Sequence, residues 1–398
     1  VLIPSVLGLI PGLYRGNDRA FAFGAIGAAT GIASCLGPIV SGFLIDTFDW
    51  RTAFSCMAVY FTIVFIGSLL VGDVPLPEQK VRFDLTGSLV AVAGLFLLII
   101  GISKIPVWGL IDPIAPPVIG GSPLVLFGMS PALFIALLGL ITLALLVRIE
   151  RNVEKTYGSC LIPSSFLTTP QVRSGLYLTA MLFLCFGGSF FLVIAYLQLV
   201  AGFSAIMTGV AMSAMAVPMI FFSMGIPKFA PDASPKKVCR LGIVMVALST
   251  IPMALSLNPY GVNWLMYIGL FFFGAGQGFV ASQSSNIIAG AVNARDAQQS
   301  SGIQTATRNV GQAIGVAVLG VVMLFSITGN FKDAALSSND LSAASKTAIN
   351  AQASIGFMPD ATFDKYIADK VSTNNDMAIL QDINPVSYTH LTLPTNRE

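Results

Sequence analysis

Charged residues are scarce in this chain. Among its 398 residues there are 21 Lys and Arg and 19 Asp and Glu, so that 10% of the residues are charged and the formal net charge is +2. A soluble domain normally carries about 25% charged residues, whereas 55% of this chain is hydrophobic. The composition therefore indicates a membrane protein, and a charge balance this close to neutral does not suggest a nucleic-acid partner.

Histidine and cysteine are also rare. The only histidine is His390, and the five cysteines contain no CxxC pair. We therefore expect no metal site, no disulfide framework and no bound cofactor. Because the apolar runs also lack paired carboxylates and an activated nucleophile, we do not expect an enzyme. The absence of an N-x-S/T sequon favours a bacterial source, and hence the bacterial cytoplasmic membrane.

Long apolar runs, in contrast, are abundant. About 20 apolar residues cross the core of a bilayer as a helix. The run 1–14 is too short to cross, and we interpret it as the end of a helix in a chain that begins as a fragment. The runs of spanning length predict membrane helices at 21–45, 52–72, 86–104, 124–147, 174–200, 206–226, 241–257, 264–290 and 302–327.

The basic residues lie in alternate loops between these runs. The basic loops hold thirteen Lys and Arg residues, and the opposite loops hold only Arg51 and Lys104. Because short cytoplasmic loops of membrane proteins are enriched in Lys and Arg, the basic loops are predicted to be cytoplasmic. These loops are 15–20, 73–85, 148–173, 227–240 and 291–301. The polar segment 328–384 then lies outside, and 385–398 is interpreted as a non-native tail.

Small residues recur at three- and four-residue steps in the predicted helix 21–45. Such a face lets a neighbouring backbone approach closely, and Pro38 is expected to bend the helix. Tight helix packing alone explains a face of this kind. The members of the face are Gly24, Ala28, Gly31, Cys35, Pro38 and Gly42.

The order of these residues adds a second interpretation. Gly24, the pair Gly37-Pro38 and Gly42, followed by Trp50-Arg51, resemble the fifth-helix signature of major facilitator antiporters. Ala33 and Ser41 stand where that signature has glycines, and both are small. If the resemblance holds, this helix seals the route between two halves of a transporter.

Polar residues inside the later apolar runs are candidates for a substrate path. They are Gln198, Gln277, Gln283, Asn286, Thr305, Arg308, Asn309 and Gln312. Gln198 could instead be a solvated amide at a helix end, and the amides of 264–290 could simply bond to neighbouring helices. Arg308 is the one charge clearly within a predicted span, where a charge is costly unless it faces protein or water. It could line a cavity or extend to the cytoplasmic surface.

Two predicted spans lie between the polar connectors 73–85 and 148–173. This arrangement resembles the fourteen-span drug:proton antiporter branch of the major facilitator superfamily, as does the pattern of Tyr196, Gly202 and Pro218. The resemblance implies an all-α fold of two six-helix halves plus two inserted helices. Its parts would be the end of the N-terminal half (1–72), the inserted pair (73–172), the C-terminal half (173–327), the outer loop (328–384) and the tail (385–398).

The function implied by the resemblance is export of amphipathic or hydrophobic small molecules by proton antiport. The expected partners are the small-molecule cargo, protons and the lipid bilayer. No Asp or Glu lies within a full predicted span, so we expect the proton-carrying acid in helices that precede Val1. A symporter of a small metabolite on the same fold stays open as an alternative. A membrane-embedded enzyme or a sensor has less support, because no motif in the chain favours either.

Overall fold

The computed structural model describes residues 2–70, 84–111, 113, 116–119, 122–157, 168–230, 232–258, 261–292, 297–338, 340–350, 376 and 379–380. The helices are α1 (Leu2–Leu13), α2 (Gly16–Thr47), α3 (Trp50–Ser68), α4 (Leu85–Trp108), α5 (Pro131–Tyr157), α6 (Pro170–Ala195), α7 (Ala205–Phe229), α8 (Pro235–Ser256), α9 (Trp264–Gly290), α10 (Ala297–Ser337) and α11 (Ala343–Asn350). A π-helical turn, Tyr196–Val200, continues α6. Strands β1 (Val118–Ile119) and β2 (Ser122–Pro123) form an antiparallel ribbon in which Val118 pairs with Pro123.

Among the described residues, nine helices are long and apolar enough to cross a membrane, and these are α2 to α10. The predicted all-α membrane fold is therefore confirmed, and the number of these helices equals the number of predicted spans. Helix α1 has 12 residues and is about 18 Å long, too short for a bilayer core of about 30 Å. Positions 71–83 and 158–167 of the connectors, most of 351–384 and the whole tail lie outside the described residues.

The predicted boundaries differ most from the observed ones in two spans. The span predicted from residue 124 begins at Pro131, because the chain first makes a tight turn in which Leu126 pairs with Met129. The span predicted over 302–327 is part of α10, which has 41 residues and a length of about 60 Å. Since that length is about twice the thickness of a bilayer core, α10 must extend beyond the membrane.

Helices α7 and α9 form the centre of the bundle, each with several helical neighbours. Helix α7 packs against α2 and α9, and α9 also packs against α8, α2 and α6. Met212, Met215, Leu270 and Phe273 are almost fully buried between α7 and α9. Helices α4 and α5 pack against each other, and α4 contacts α10. The pair therefore lies at one side of the bundle.

Glycines bring the backbones of α7 and α9 into direct contact. A Cβ at Gly274 would collide with the carbonyl oxygen of Met215, and one at Gly278 would lie 2.6 Å from the carbonyl oxygen of Met219. A carbon atom cannot approach a carbonyl oxygen this closely, so only glycine permits the observed spacing. Gly274 and Gly278, four residues apart, thus form a close-packing step between α7 and α9.

The small residues of α2 form two faces, where the sequence suggested one. The face with Gly24, Gly31 and Gly42 packs on α7, where added Cβ atoms would meet backbone atoms at each position. Gly37, in contrast, is exposed, and a Cβ there would meet nothing within 4 Å. Ala33 and Ser41 are also exposed. Gly37 follows Gly31 by six residues and therefore points about 120° away from it on the helix, off the face that packs on α7. Its part in the antiporter signature stays a prediction.

Candidate functional site

A small cavity lies where α2 meets α6, α7, α9 and α10. Its walls combine aromatic and aliphatic side chains with a few polar groups. Phe23 and Thr30 come from α2, Phe183 and Phe186 from α6, Met219 from α7, Gln277 from α9 and Arg308 from α10. The volume open to the centre of a water molecule is about 10 Å³, which accommodates about one water. In this conformation the helices are therefore closed around the site.

Arg308 supplies a positive charge to this cavity. It lies eleven residues after the start of α10, or about 16 Å along the helix. The guanidinium carbon is 5.0 Å from the centre of the Phe183 ring, within the range of a cation–π contact. Nη2 donates to Ser285 Oγ at 3.3 Å. Nε is buried and has no hydrogen-bond partner in the described part of the chain.

Glycines on α10 place Arg308 over Phe183. A Cβ at Gly311 would lie 2.5 Å from the carbonyl oxygen of Ala180, and one at Gly315 would lie 2.9 Å from the carbonyl carbon of Leu184. The backbones of α6 and α10 therefore touch one turn beyond Arg308. Because Phe183 lies between these two contact points on α6, its ring is brought beneath the guanidinium.

Two further polar side chains complete this cluster. Gln304 Nε2 donates to Ser285 Oγ at 2.7 Å, so the Ser285 hydroxyl accepts hydrogen bonds from both Gln304 and Arg308. Neither Gln304 nor Ser285 is among the candidates predicted from the sequence. Gln304 lies four residues before Arg308, hence on the same helix face, and this spacing was a usable signal.

Gln277 is one of the predicted polar residues that the structure brings to the cavity. It is almost fully buried, and its Nε2 donates to the carbonyl oxygen of Leu182 at 3.4 Å. The amide thus links α9 to α6 and also lines the cavity, and its place in a substrate path stays a prediction. Gln283, on the same helix, is also buried.

Arg19 and Asn286 connect α2 to α9 beside the cavity. Arg19 Nε donates to Asn286 Oδ1 at 3.1 Å, and Arg19 Nη1 donates to the carbonyl oxygen of Ala289 at 3.4 Å. Phe23, one turn along α2 from Arg19, lines the cavity. In the sequence, Arg19 indicates only which loops are cytoplasmic, because an arginine at a helix end gives no sign of a partner 267 residues away.

The remaining predicted residues do not reach the cavity. Gln198 is exposed in the π-helical turn, and the Thr305 hydroxyl donates to the carbonyl oxygen of Ser301 on its own helix. Asn309 and Gln312 line a separate groove of about 460 Å³ beside α4. A larger groove of about 670 Å³ lies between α4 and α5 on one side and α6 and α10 on the other, with almost entirely apolar walls. The assignment of these residues to a substrate path stays a prediction.

The sequence matches the Major Facilitator Superfamily over residues 1–316. It is 28% identical over 341 residues to the "Probable actinorhodin transporter" of Streptomyces coelicolor, covering 83% of this chain and 55% of that protein. It is 25% identical over 339 residues to the "Tetracenomycin C resistance and export protein" of Streptomyces glaucescens, covering 83% and 57%. It is 24% identical over 307 residues to "Multidrug resistance protein Stp" of Mycobacterium tuberculosis, covering 77% and 53%. The chain thus spans slightly more than half the length of these relatives.

Proposed function

Because this chain belongs to the Major Facilitator Superfamily, we propose that it forms part of a secondary active exporter. The cargo is an amphipathic or hydrophobic small molecule, exported in exchange for protons by alternating access. Three of the relatives bear names that specify transport, export or multidrug resistance. We also propose that the protein resides in the bacterial cytoplasmic membrane.

One observation carries this proposal, namely the position of the polar cavity. It lies in the contact between α2, from the first part of the chain, and α6, α7, α9 and α10 from the later part. A site at the junction of two helical halves can be exposed to either side when the halves rock, as secondary transporters require. Arg308, Gln277 and Thr30 place hydrogen-bonding groups there, within otherwise apolar walls.

The arrangement of α4 and α5 supports the fourteen-span branch. The two helices pack against each other and lie beside α10, as expected for a hairpin inserted between two halves that does not take part in their contact. None of the residues of α3 is buried. We propose that α3 contacts further parts of the full-length protein, since this chain covers only 55% and 57% of the length of two of its relatives.

Proton coupling requires a titratable group in the transport path. No Asp or Glu is found among the described residues that line the cavity. We therefore propose that the coupling acid lies elsewhere in the full-length protein, and that Arg308 and Gln277 act on the cargo.

The test is the direction of flux in inside-out vesicles that contain the full-length protein. With the vesicle interior made acidic, an exporter of this kind should accumulate a fluorescent cargo and release protons only when the cargo is present. An uncoupler, which dissipates the proton gradient, should abolish the accumulation. Vesicles without the protein are the control. Cargo leaving the vesicles together with protons would identify the symporter alternative and reject antiport.

A further inference from the structure

We infer that the cavity selects aromatic cargo that carries an anionic or strongly accepting oxygen, and that Arg308 binds this oxygen. The inference rests on the proposed function, because it names the class of cargo for the same site. It starts from the balance of charge in the cavity. Arg308 is the only charged side chain among the described residues that line it. Arg19 adds a second positive charge one turn from Phe23, at the edge of the cavity.

The hydrogen bonding of Arg308 is incomplete. A guanidinium has five N–H donors, and the described residues accept from one of its nitrogens only, Nη2. The acceptor, Ser285 Oγ, is shared with the shorter hydrogen bond from Gln304. Nε is buried without a partner. A buried donor without an acceptor costs free energy. A cargo that brings an acceptor to Nε removes this cost and should therefore bind more tightly.

The shape of the guanidinium environment specifies the kind of acceptor. The guanidinium carbon lies 5.0 Å from the centre of the Phe183 ring, and the edge of the guanidinium that carries Nε has no acceptor among the described residues. Arginine binds carboxylate or phenolate oxygens through such an edge, with short charge-assisted hydrogen bonds. Phe183 and Phe186 lie edge to face with ring centres 6.2 Å apart. Together with Phe23 they provide ring surfaces against which an aromatic cargo can pack.

A lipophilic cation fits this site poorly. It would bring a like charge against Arg308, and the described residues lining the cavity include no carboxylate to offset it. Like charges held together in a poorly hydrated site repel strongly. The cavity is closed in this conformation, so the cargo enters when α2 separates from the later helices, and the charge at Arg308 acts on whatever enters.

Two dyes that share one ring system distinguish the effect of cargo charge on binding from the effect of cargo shape. Fluorescein is anionic and tetramethylrhodamine methyl ester is cationic, and both are built on xanthene. The full-length protein is purified in detergent for dye binding by fluorescence anisotropy, and it is placed in vesicles for flux. We expect the wild type to bind and export fluorescein in preference to the rhodamine. Arg308→Gln should weaken fluorescein binding by about tenfold or more and leave rhodamine binding equal or stronger.

Two variants control for folding and for nonspecific charge. Arg308→Lys keeps the charge and should retain part of the fluorescein affinity. Arg51→Gln removes an exposed arginine that lies over the Trp50 ring, and it should change the binding and flux of neither dye. If the Arg308 variants do not fold, the preference of the wild type between the dyes still decides the question. Export of the rhodamine without fluorescein, or binding and flux of neither dye, would overturn the inference and leave the proposed function to its own flux test.

Discussion

Replacing Gly24 by alanine should destabilise the protein, because at this position the backbone of α2 touches that of α7. The added Cβ would collide with the carbonyl oxygen of Ser223 and lie 3.0 Å from its carbonyl carbon. Both are backbone atoms, so only a movement of the two helices relieves the collision. Overpacking of this kind costs about 1–3 kcal/mol. The gain in helix propensity from Gly to Ala is at most about 1 kcal/mol and offsets only part of it.

Gly37→Ala is the matched control, since it makes the same change on the same helix. Because a Cβ there meets nothing within 4 Å, only the gain in helix propensity remains, and stability should rise by up to about 1 kcal/mol. Thermal unfolding of the full-length protein in detergent, followed by tryptophan fluorescence, should give Tm values in the order Gly37→Ala, wild type, Gly24→Ala. A Gly24→Ala protein that melts with or above the wild type, together with a destabilised Gly37→Ala protein, would refute the two-face description of α2.

Three further perturbations test other parts of the structure. After removal of the native cysteines, Ser234→Cys should react with an impermeant thiol reagent only from the cytoplasm, and Ser337→Cys only from outside. The reason is that three helices separate these exposed positions. Reaction of both from the same side would contradict the number of crossings. Arg19→Gln removes charge-assisted hydrogen bonds between α2 and α9, each worth about 1.5–3 kcal/mol. Ile26, on α2, lines the cavity between α2 and the later helices. Arg19→Gln should therefore speed thiol labelling of Ile26→Cys from the cytoplasm, and an unchanged rate would show that Arg19 does not hold the two helices together. Gly311→Ala should lower both Tm and fluorescein affinity, because its Cβ would meet the Ala180 carbonyl oxygen. Gly302→Ala adds the same methyl group where nothing lies within 4 Å, so it should leave the fluorescein affinity unchanged and raise Tm slightly through helix propensity. Equal behaviour of the two variants would show that the α6–α10 contact does not position Arg308.

The existence of the membrane helices could be predicted from the sequence, because each needs only a long apolar run. The predicted span 264–290 coincides with α9, whose first turn is capped by the side chain of Asn263. The end of α10 could not be predicted in this way. Its last ten residues carry no membrane signal, yet Phe331 and Ala335 are buried there, and α10 contacts α11. The last part of α10 is thus packed against other parts of the protein, and the hydropathy of the sequence does not reveal such packing.

The candidate site shows the same limit at the level of single side chains. A lone arginine in an apolar run and a GxxxG step beside it both indicate a protein-facing surface on α10. Neither indicates which helix that surface meets. The structure places Gly311 on Ala180, and only this choice of partner brings Phe183 beneath Arg308. Asn309 is the next residue, turned by about 100°, and it faces the groove beside α4 instead. A single helical step therefore separates the cavity from that groove. Periodicity predicts which residues share a face of a helix, but a role can be assigned to one of them only when the neighbouring helices are known.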